Sequence, residues 1–471
     1  MRTIWKRIIL WVAVIGLFAG CATLPAPETT AQTEQLEEPS SVPSPSDPGQ
    51  READSSLANT EAEGTTVCTT QVETAVSDPV ETALRKLTLE ERIAQLFVVT
   101  PEALTNAEKP VQAVNETVQS AFFRIPVGGI LCMGESLKGP QQTASLCADL
   151  QALSTERLGL PLFLCVDEEG GTVARISGNP AFNLARIPPM AEIGAAGDPS
   201  KAYAIGQTIG SYLSALGFNV DFAPDADVLT NPQNRVVRSR SFGSSAELVT
   251  EMASAFSEGL SEQGVLPCWK HFPGHGGTAE DSHKGFAVLH ATLPSLLQSE
   301  ELSPFLYAAK TGAPMIMTGH IAVPEATGDS YPASLNAKLI GVLRGPGVEY
   351  DGLLITDSLG MGAVTQLVSP AEAAVLAVQA GNDLLLVSDH LAEAYQAVRA
   401  AVADGRISEG RINESVRRIL RRKEELNGSG AKIHENEGHE TKRLEKSAGK
   451  EADHTRFYHR SSFRKNLPAQ D

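Results

Sequence analysis

Eight short apolar runs recur along the middle of the chain: Gln95–Val99, Gly129–Cys132, Leu162–Val166, Val220–Ala223, Val265–Trp269, Met315–Thr318, Leu353–Thr356 and Leu384–Val387. A strand with one wet face alternates apolar and polar residues, whereas a strand buried on both faces reads as a continuous apolar run. Stretches long enough for helices, such as Ser245–Leu260 and Ala371–Ala380, separate most of the runs. Alternation of this kind predicts parallel strands covered by helices, and eight units predict an α/β fold of the (β/α)8 TIM-barrel type. The span 81–426 is roughly 345 residues, within the size of that fold with insertions. The alternative is a doubly wound open sheet. No GxGxxG opens a helix after the first run, so a nucleotide-binding version has no support.

A barrel of this type gathers its chemistry just past the C-terminal ends of its strands. Asp167 follows the third run, Lys270 and His271 end the fifth, His320 follows the sixth and Asp357 follows the seventh. Burial of strands alone does not predict polar groups at the same end of several of them.

The stretch Cys268–Gly285, CWKHFPGHGGTAEDSHKG, is the densest in reactive side chains. Pro273 and Gly274, Gly276 and Gly277 sit poorly in a helix, so it reads as a strand ending at Lys270-His271 and then a loop carrying Asp281 and His283. Three readings compete. The histidines are ordinary loop residues; or His271 and His275 form a metal pair, which their i, i+4 spacing supports only on a helix; or Asp281 and His283 form a dyad in which a carboxylate orients an imidazole for proton transfer.

KHFPGHGGT followed by DSH resembles the signature of glycoside hydrolase family 3, in its single-domain β-N-acetylglucosaminidase branch. Leu353–Met361, LLITDSLGM, is similar to the family's nucleophile segment; the resemblance implies that Asp357 attacks the anomeric carbon. It also implies that His283 is the proton donor and acceptor, with Asp281 as its partner. VDEEGGTVAR at Val166–Arg175 resembles the sugar-binding segment and implies that Asp167 and Arg175 bind substrate. Arg-Ser-Phe-Gly at Arg240–Gly243 implies the same of Arg240, and the KH pair the same of Lys270 and His271. Adjacent carboxylates rarely face one site, so Glu168 and Glu169 read as solvated or structural. His275 reads as structural, His320 as a wall residue, and His290, Arg235 and Arg238 as surface or loop positions. Weaker matches are Leu87–Ile93, with Thr88 as a helix cap and Glu91 at the capping-box position, Pro332–Leu335, Ala380–Asp383 and a closing helix at Arg411–Arg418. The resemblance spans about Leu84 to Lys423.

The ends read differently. Arg2, Lys6 and Arg7 precede an apolar run, Ile8–Phe18, too short for a comfortable membrane span. It ends at Ala19-Gly20-Cys21, which resembles a bacterial lipoprotein signal. Residues 1–21 are thus expected to be a signal peptide with Cys21 lipidated, tethering the protein outside the cytoplasm; ordinary secretion and an uncleaved anchor are the alternatives. Residues 22–80 are rich in Pro, Ser, Thr and Glu and read as a flexible tether, 81–426 as the catalytic barrel, and 427–471 as a polar disordered tail. The formal charge of −18 argues against a nucleic-acid partner, because phosphate contacts need a basic face. Of six cysteines, Cys132, Cys165 and Cys268 fall in apolar runs and read as buried thiols. No CxxC pair is present, so zinc is not expected, and the reading calls for no cofactor.

The resulting expectation is a retaining β-N-acetylhexosaminidase acting on peptidoglycan fragments or chitooligosaccharides. A phosphorylase passing the glycosyl unit to phosphate, or another family 3 β-glycosidase, is the enzymatic alternative. A lipid-tethered glycan-binding protein without turnover is the alternative outside enzymes. Oligomeric state is not readable from the sequence.

Overall fold

The computed structural model describes residues 78–279, 285 and 287–426. The signal peptide with Cys21, the tether up to residue 77, the tail 427–471 and the pair Asp281 and His283 lie outside the described residues. The first helix, Pro79–Lys86, opens on Asp78, whose side chain accepts from Val80 N.

Eight strands follow in chain order: β1 (Phe97–Val99), β2 (Gly129–Leu131), β3 (Phe163–Val166), β4 (Val220–Asp221), β5 (Leu266–Phe272), β6 (Met315–Thr318), β7 (Leu353–Thr356) and β8 (Leu385–Val387). Each from β1 to β6 pairs in parallel with the next. β8 pairs with β1, Phe97 opposite Leu385, and a parallel bridge from Ile355 to Leu384 closes the ring between β7 and β8. The open-sheet alternative is thereby excluded. Every residue of these strands except half-buried Leu266 is buried, because side chains fill the barrel on one face and helices cover the other. The continuous apolar character of the runs has this cause.

Helices occupy the connections, with Pro140–Leu158, Pro199–Leu216, Ala246–Glu262 and Leu391–Ala403 among the longest. Their starts follow the capping chemistry expected of the sequence. Thr88 Oγ1 accepts from Glu91 N at 3.2 Å and Glu91 Oε2 accepts from Thr88 N at 2.9 Å, a reciprocal box. Asn382 and Asp383, just before β8, tie the end of the ring together. Asn382 accepts from Thr318 Oγ1 at 2.8 Å, and Asp383 accepts from Leu354 N at 3.0 Å and Ser415 Oγ at 2.7 Å. Arg344 and Arg418 also pair with Asp383.

The last helix, 409–426, sends Lys423 into the opposite end of the barrel from the strand ends that carry the acids. Its Nζ donates to Gln95 Oε1 at 2.8 Å and lies 5.2 Å from the Phe163 ring. Burial without a carboxylate partner pulls its ammonium down to about 7. A lysine whose folded value lies below its unfolded one destabilises fully below pH 7, and the penalty is relieved as pH rises from 7 towards its ordinary 10.5. The stability of the wild type relative to Lys423→Met is therefore expected to climb across pH 7–10, by up to a few kcal/mol. Denaturant melts of both proteins at several pH values check this. A gap independent of pH would show that Lys423 titrates normally.

Candidate active site

The C-terminal ends of the strands surround a cavity of about 740 Å³. Leu131, Phe222, Met317 and Leu386 give it apolar lining, and Asp167, Glu169, Arg175, Arg240, Lys270, His271 and Asp357 its polar lining. Six residues marked out in the sequence thus share one cavity: Asp167, Arg175, Arg240, Lys270, His271 and Asp357. Asp281 and His283 are outside the described residues. His320 is not a wall residue. It is buried behind the cavity, with Nε2 2.8 Å from Ser358 O and Nδ1 2.8 Å from Ser334 Oγ.

Asp167 caps β3 and opens the tight hairpin Glu168–Gly170/Val173–Ala174. Gly170 and Gly171 both adopt positive φ at its turn, where a side chain would be strained. Successive residues of an extended segment face opposite ways, and this separates the two glutamates. Glu168 turns away from the cavity, accepting from Ile176 N, Ser177 N and Tyr212 OH at 2.7–2.8 Å. Glu169 turns inward and is only 1% exposed. The structural role foreseen for the pair holds for Glu168, but neither residue is solvated, and Glu169 belongs to the cavity.

Glu169 joins two cations. Its carboxylate lies 2.5 Å from Lys270 Nζ and takes a two-pronged contact from Arg240, Nε at 2.7 Å and Nη2 at 2.8 Å. Lys270 also reaches Asp167 at 2.8 Å. Burial alone would raise Glu169, but Arg240 and Lys270 outweigh it and hold its carboxyl at about 2. Burial alone would lower Lys270; Asp167 and Glu169 reverse that and push it above the ordinary lysine value. The two cations that line the cavity are thus fixed and charged at neutral pH. Arg175 stands apart, with its buried Nε making no hydrogen bond.

Asp357 sits at the end of β7, its own N–H bonded to Thr318 O at 2.9 Å. Burial raises its carboxyl, yet His320, His271, the Ser358 N–H at 2.7 Å and Lys270 together hold it below the ordinary aspartate value. It is an ionised carboxylate facing a cavity.

Two further acids, Asp225 and Asp227, stand past β4, outside the motifs picked out in the sequence. The same rule that marks Asp167 and Asp357 applies to them, since Val220–Ala223 ends just before. Asp227 Oδ2 lies 2.7 Å from His271 Nδ1, and its Oδ1 accepts from His271 N at 3.1 Å and His275 N at 2.7 Å. Asp225 Oδ1 accepts from Asp227 N at 3.0 Å, and its Oδ2 is 3.1 Å from Arg240 Nε. Burial and the adjacent Asp227 charge push Asp225 up; for Asp227, burial is outweighed by His271 and His275, which hold it well down. His275 is structural, as expected: buried, with Nδ1 2.8 Å from Thr278 Oγ1. A Cβ at Gly276 would meet Val228 O at 1.7 Å, so only glycine lets this loop lie against the β4 rim.

Asp225, Asp227 and His271 are also the group among the described residues able to bring three metal-ligating atoms within 4.8 Å. Their donors are already engaged, Asp227 by His271 and two backbone N–H groups, Asp225 by Asp227 N and the Arg240 cation. His271 and His275 do not share a helix, and their rings meet edge to face at 6.0 Å.

Comparison with known proteins places this arrangement. β-Hexosaminidase A of Pseudoalteromonas piscicida is 31% identical over 338 residues, 66% of this chain and 55% of that protein. β-Hexosaminidase LpqI of Mycobacterium tuberculosis is 34% identical over 286 residues, 58% of this chain and 70% of that protein. A solved family 3 β-N-acetylglucosaminidase from Paenibacillus sp. superposes with a TM-score of 0.67 at 37% identity, covering 72% of this chain and 63% of that one. This chain thus spans less than two thirds of the Pseudoalteromonas and Paenibacillus proteins. The profile of the glycosyl hydrolase family 3 N-terminal domain matches residues 88–422, a span that takes in all eight strands and every polar residue of the cavity, and the chain belongs to that family.

Proposed function

We propose that this protein is a retaining β-N-acetylhexosaminidase that removes terminal β-linked N-acetylglucosamine from peptidoglycan fragments or chitooligosaccharides. One observation carries the reading: an ionised Asp357 shares a single cavity with Asp167, Arg175, Arg240, Lys270 and His271. The relatives named β-hexosaminidase and the Paenibacillus β-N-acetylglucosaminidase support the choice of sugar.

In the proposed reaction an Asp357 oxygen bonds the anomeric carbon as the bond to the glycosidic oxygen breaks. The His283 imidazolium gives that oxygen its proton, with Asp281 stabilising the cation. The neutral imidazole then takes a proton from water, whose oxygen attacks the same carbon and releases Asp357. Two displacements restore the β configuration. Asp167, Lys270, His271, Arg240 and Arg175 hold the sugar hydroxyls; Arg and Lys suit this because they offer donors of fixed charge.

Turnover of a chromogenic β-N-acetylglucosaminide by purified protein tests the reading, and no turnover would leave a glycan-binding protein. Running the assay with and without phosphate separates hydrolysis from phosphorolysis by the product. His283→Ala is expected to lower kcat/KM on chitobiose by about 100-fold, and far less on an aryl glycoside whose leaving group needs no proton. A series of aryl leaving groups measures this. Equal losses across the series would remove His283 from the proton-transfer role. We also propose that Cys21 carries a lipid that holds the enzyme at the outer face of the cytoplasmic membrane. Incorporation of labelled palmitate, lost in Cys21→Ser, is the check.

A further inference from the structure

We infer that Asp227 is a positioning residue for the sugar subsite: it fixes the His271 ring with its proton on Nδ1, so that Nε2 meets the sugar as a hydrogen-bond acceptor. The identity of the ligand rests on the glycosidase reading above; the state of the ring does not.

Both edges of the imidazole are constrained. On one edge, Nδ1 lies 2.7 Å from Asp227 Oδ2. Asp227 is fully buried, and its other oxygen already accepts two backbone N–H groups, from His271 and His275. A carboxylate so placed, with Oδ1 taken up by two backbone N–H groups and Oδ2 turned to the ring, offers the ring only lone pairs, so Nδ1 must carry the hydrogen. On the other edge, Nε2 lies 3.3 Å from Arg240 Nη2. A guanidinium donates and never accepts, so Nε2 must keep its lone pair. Arg240 cannot turn away, because Glu169 holds it through both Nε and Nη2. An imidazolium would set N–H against N–H at that contact. Both edges therefore select one neutral tautomer.

The consequence is a rule for the ligand. His271 lines the cavity, and its Nδ1 edge is turned to buried Asp227. The edge left for the sugar is Nε2, whose one lone pair now faces Arg240 Nη2 at 3.3 Å; a sugar hydroxyl that donates to it displaces this long contact, and Nη2 keeps its 2.8 Å bond to Glu169. The group that meets it must donate, as a hydroxyl does and as a fluorine or ether oxygen cannot. In Asp227→Asn the amide oxygen keeps the two backbone N–H groups, and the amide NH2 replaces Oδ2. A donor then faces Nδ1, the hydrogen moves to Nε2, and the ring opposes Arg240 while offering the sugar a donor.

Two measurements test this. In the free wild-type protein labelled with 15N-histidine, long-range proton–nitrogen correlation, with His271→Gln identifying the signals, is expected to show a protonated Nδ1 and an unprotonated Nε2 at pH 7. In Asp227→Asn the two nitrogens are expected to exchange roles. In kinetics, Asp227→Asn is expected to lower kcat/KM on the parent aryl N-acetylglucosaminide by about 10- to 100-fold, as for a mispaired buried hydrogen bond. Against a set of 3-, 4- and 6-deoxyfluoro analogues, the wild type is expected to prefer hydroxyl to fluorine about tenfold or more at one ring position. Asp227→Asn is expected to lose that preference. Wild-type His271 protonated on Nε2 overturns the inference, and this result needs no variant to fold. So does an Asp227→Asn protein that retains both the Nδ1–H ring and the wild-type preference at every position. Failure of the wild type to cleave any N-acetylglucosaminide would instead sink the functional reading, while the spectrum still decides the role of Asp227.

Discussion

Asp357→Gly is expected to abolish turnover of an aryl β-N-acetylglucosaminide, with kcat falling on the order of 10,000-fold or more, as removal of a covalent nucleophile does. The fold should be left intact. The Asp357 side chain accepts from the neighbouring Ser358 N–H, and the strand is held by backbone bonds such as Asp357 N to Thr318 O. No ion pair of a described residue is broken, so the change in stability should stay within about 1 kcal/mol. In the proposed reaction the space vacated lies against the face of the sugar that the carboxylate attacks. Azide can enter it, and its terminal nitrogen then bonds the anomeric carbon as the aryl oxide leaves. The expected product is the α-glycosyl azide, formed only by the variant and only with a good leaving group. A β-azide, or wild-type hydrolysis by Asp357→Gly, would remove Asp357 from the nucleophile's position.

Much of this geometry is legible in the sequence, for a physical reason. Strands buried on both faces need apolar residues at every position, so β1 to β8 announce themselves as runs, and a closed parallel barrel puts whatever follows each run on one rim. Asp167, Lys270, His271 and Asp357 could be picked out by that rule alone. What could not be read was pairing across the rim. Glu168 and Glu169 are chemically identical neighbours, and only the extended backbone of their hairpin sends one inward to two cations and the other outward to backbone N–H groups. Asp225 and Asp227 follow a strand with a two-residue ladder, at the head of a long irregular segment that runs to Ser245 before any helix begins. The sequence pattern there gives no periodicity from which to infer where a side chain points. The buried state of Lys423 depends on Gln95 and Phe163, which are remote in the chain. Local pattern carries the elements; the electrostatics of the site come from contacts that only closure of the barrel creates.

Glu169 is where that closure matters most for stability. Its carboxylate is the shared counter-charge of Arg240 and Lys270, all three with side chains at most 10% exposed. Holding a glutamate at about 2 rather than its ordinary 4.5 corresponds to roughly 3 kcal/mol of folding free energy. Removing one member of a buried charge group typically costs about 3–5 kcal/mol, because the partners stay buried and unpaired. Glu169→Gln preserves the shape and removes only the charge, so a loss of about 3 kcal/mol at pH 7 is expected. The pH dependence identifies the cause. A carboxylate whose folded value lies below its unfolded one stabilises fully above the unfolded value, and that contribution is lost as pH falls through the folded one. The gap between wild type and Glu169→Gln should therefore be constant from pH 7 to about 5 and should narrow between about pH 4.5 and 2. Denaturant melts across that range measure it. With Arg240 and Lys270 no longer held, the variant should also bind N-acetylglucosamine more weakly, even in the absence of denaturant where both proteins fold fully. A gap that persists unchanged to about pH 2 would mean that the glutamine variant fails through packing, and that the two cations are held in the cavity by Asp167 and Asp225 instead.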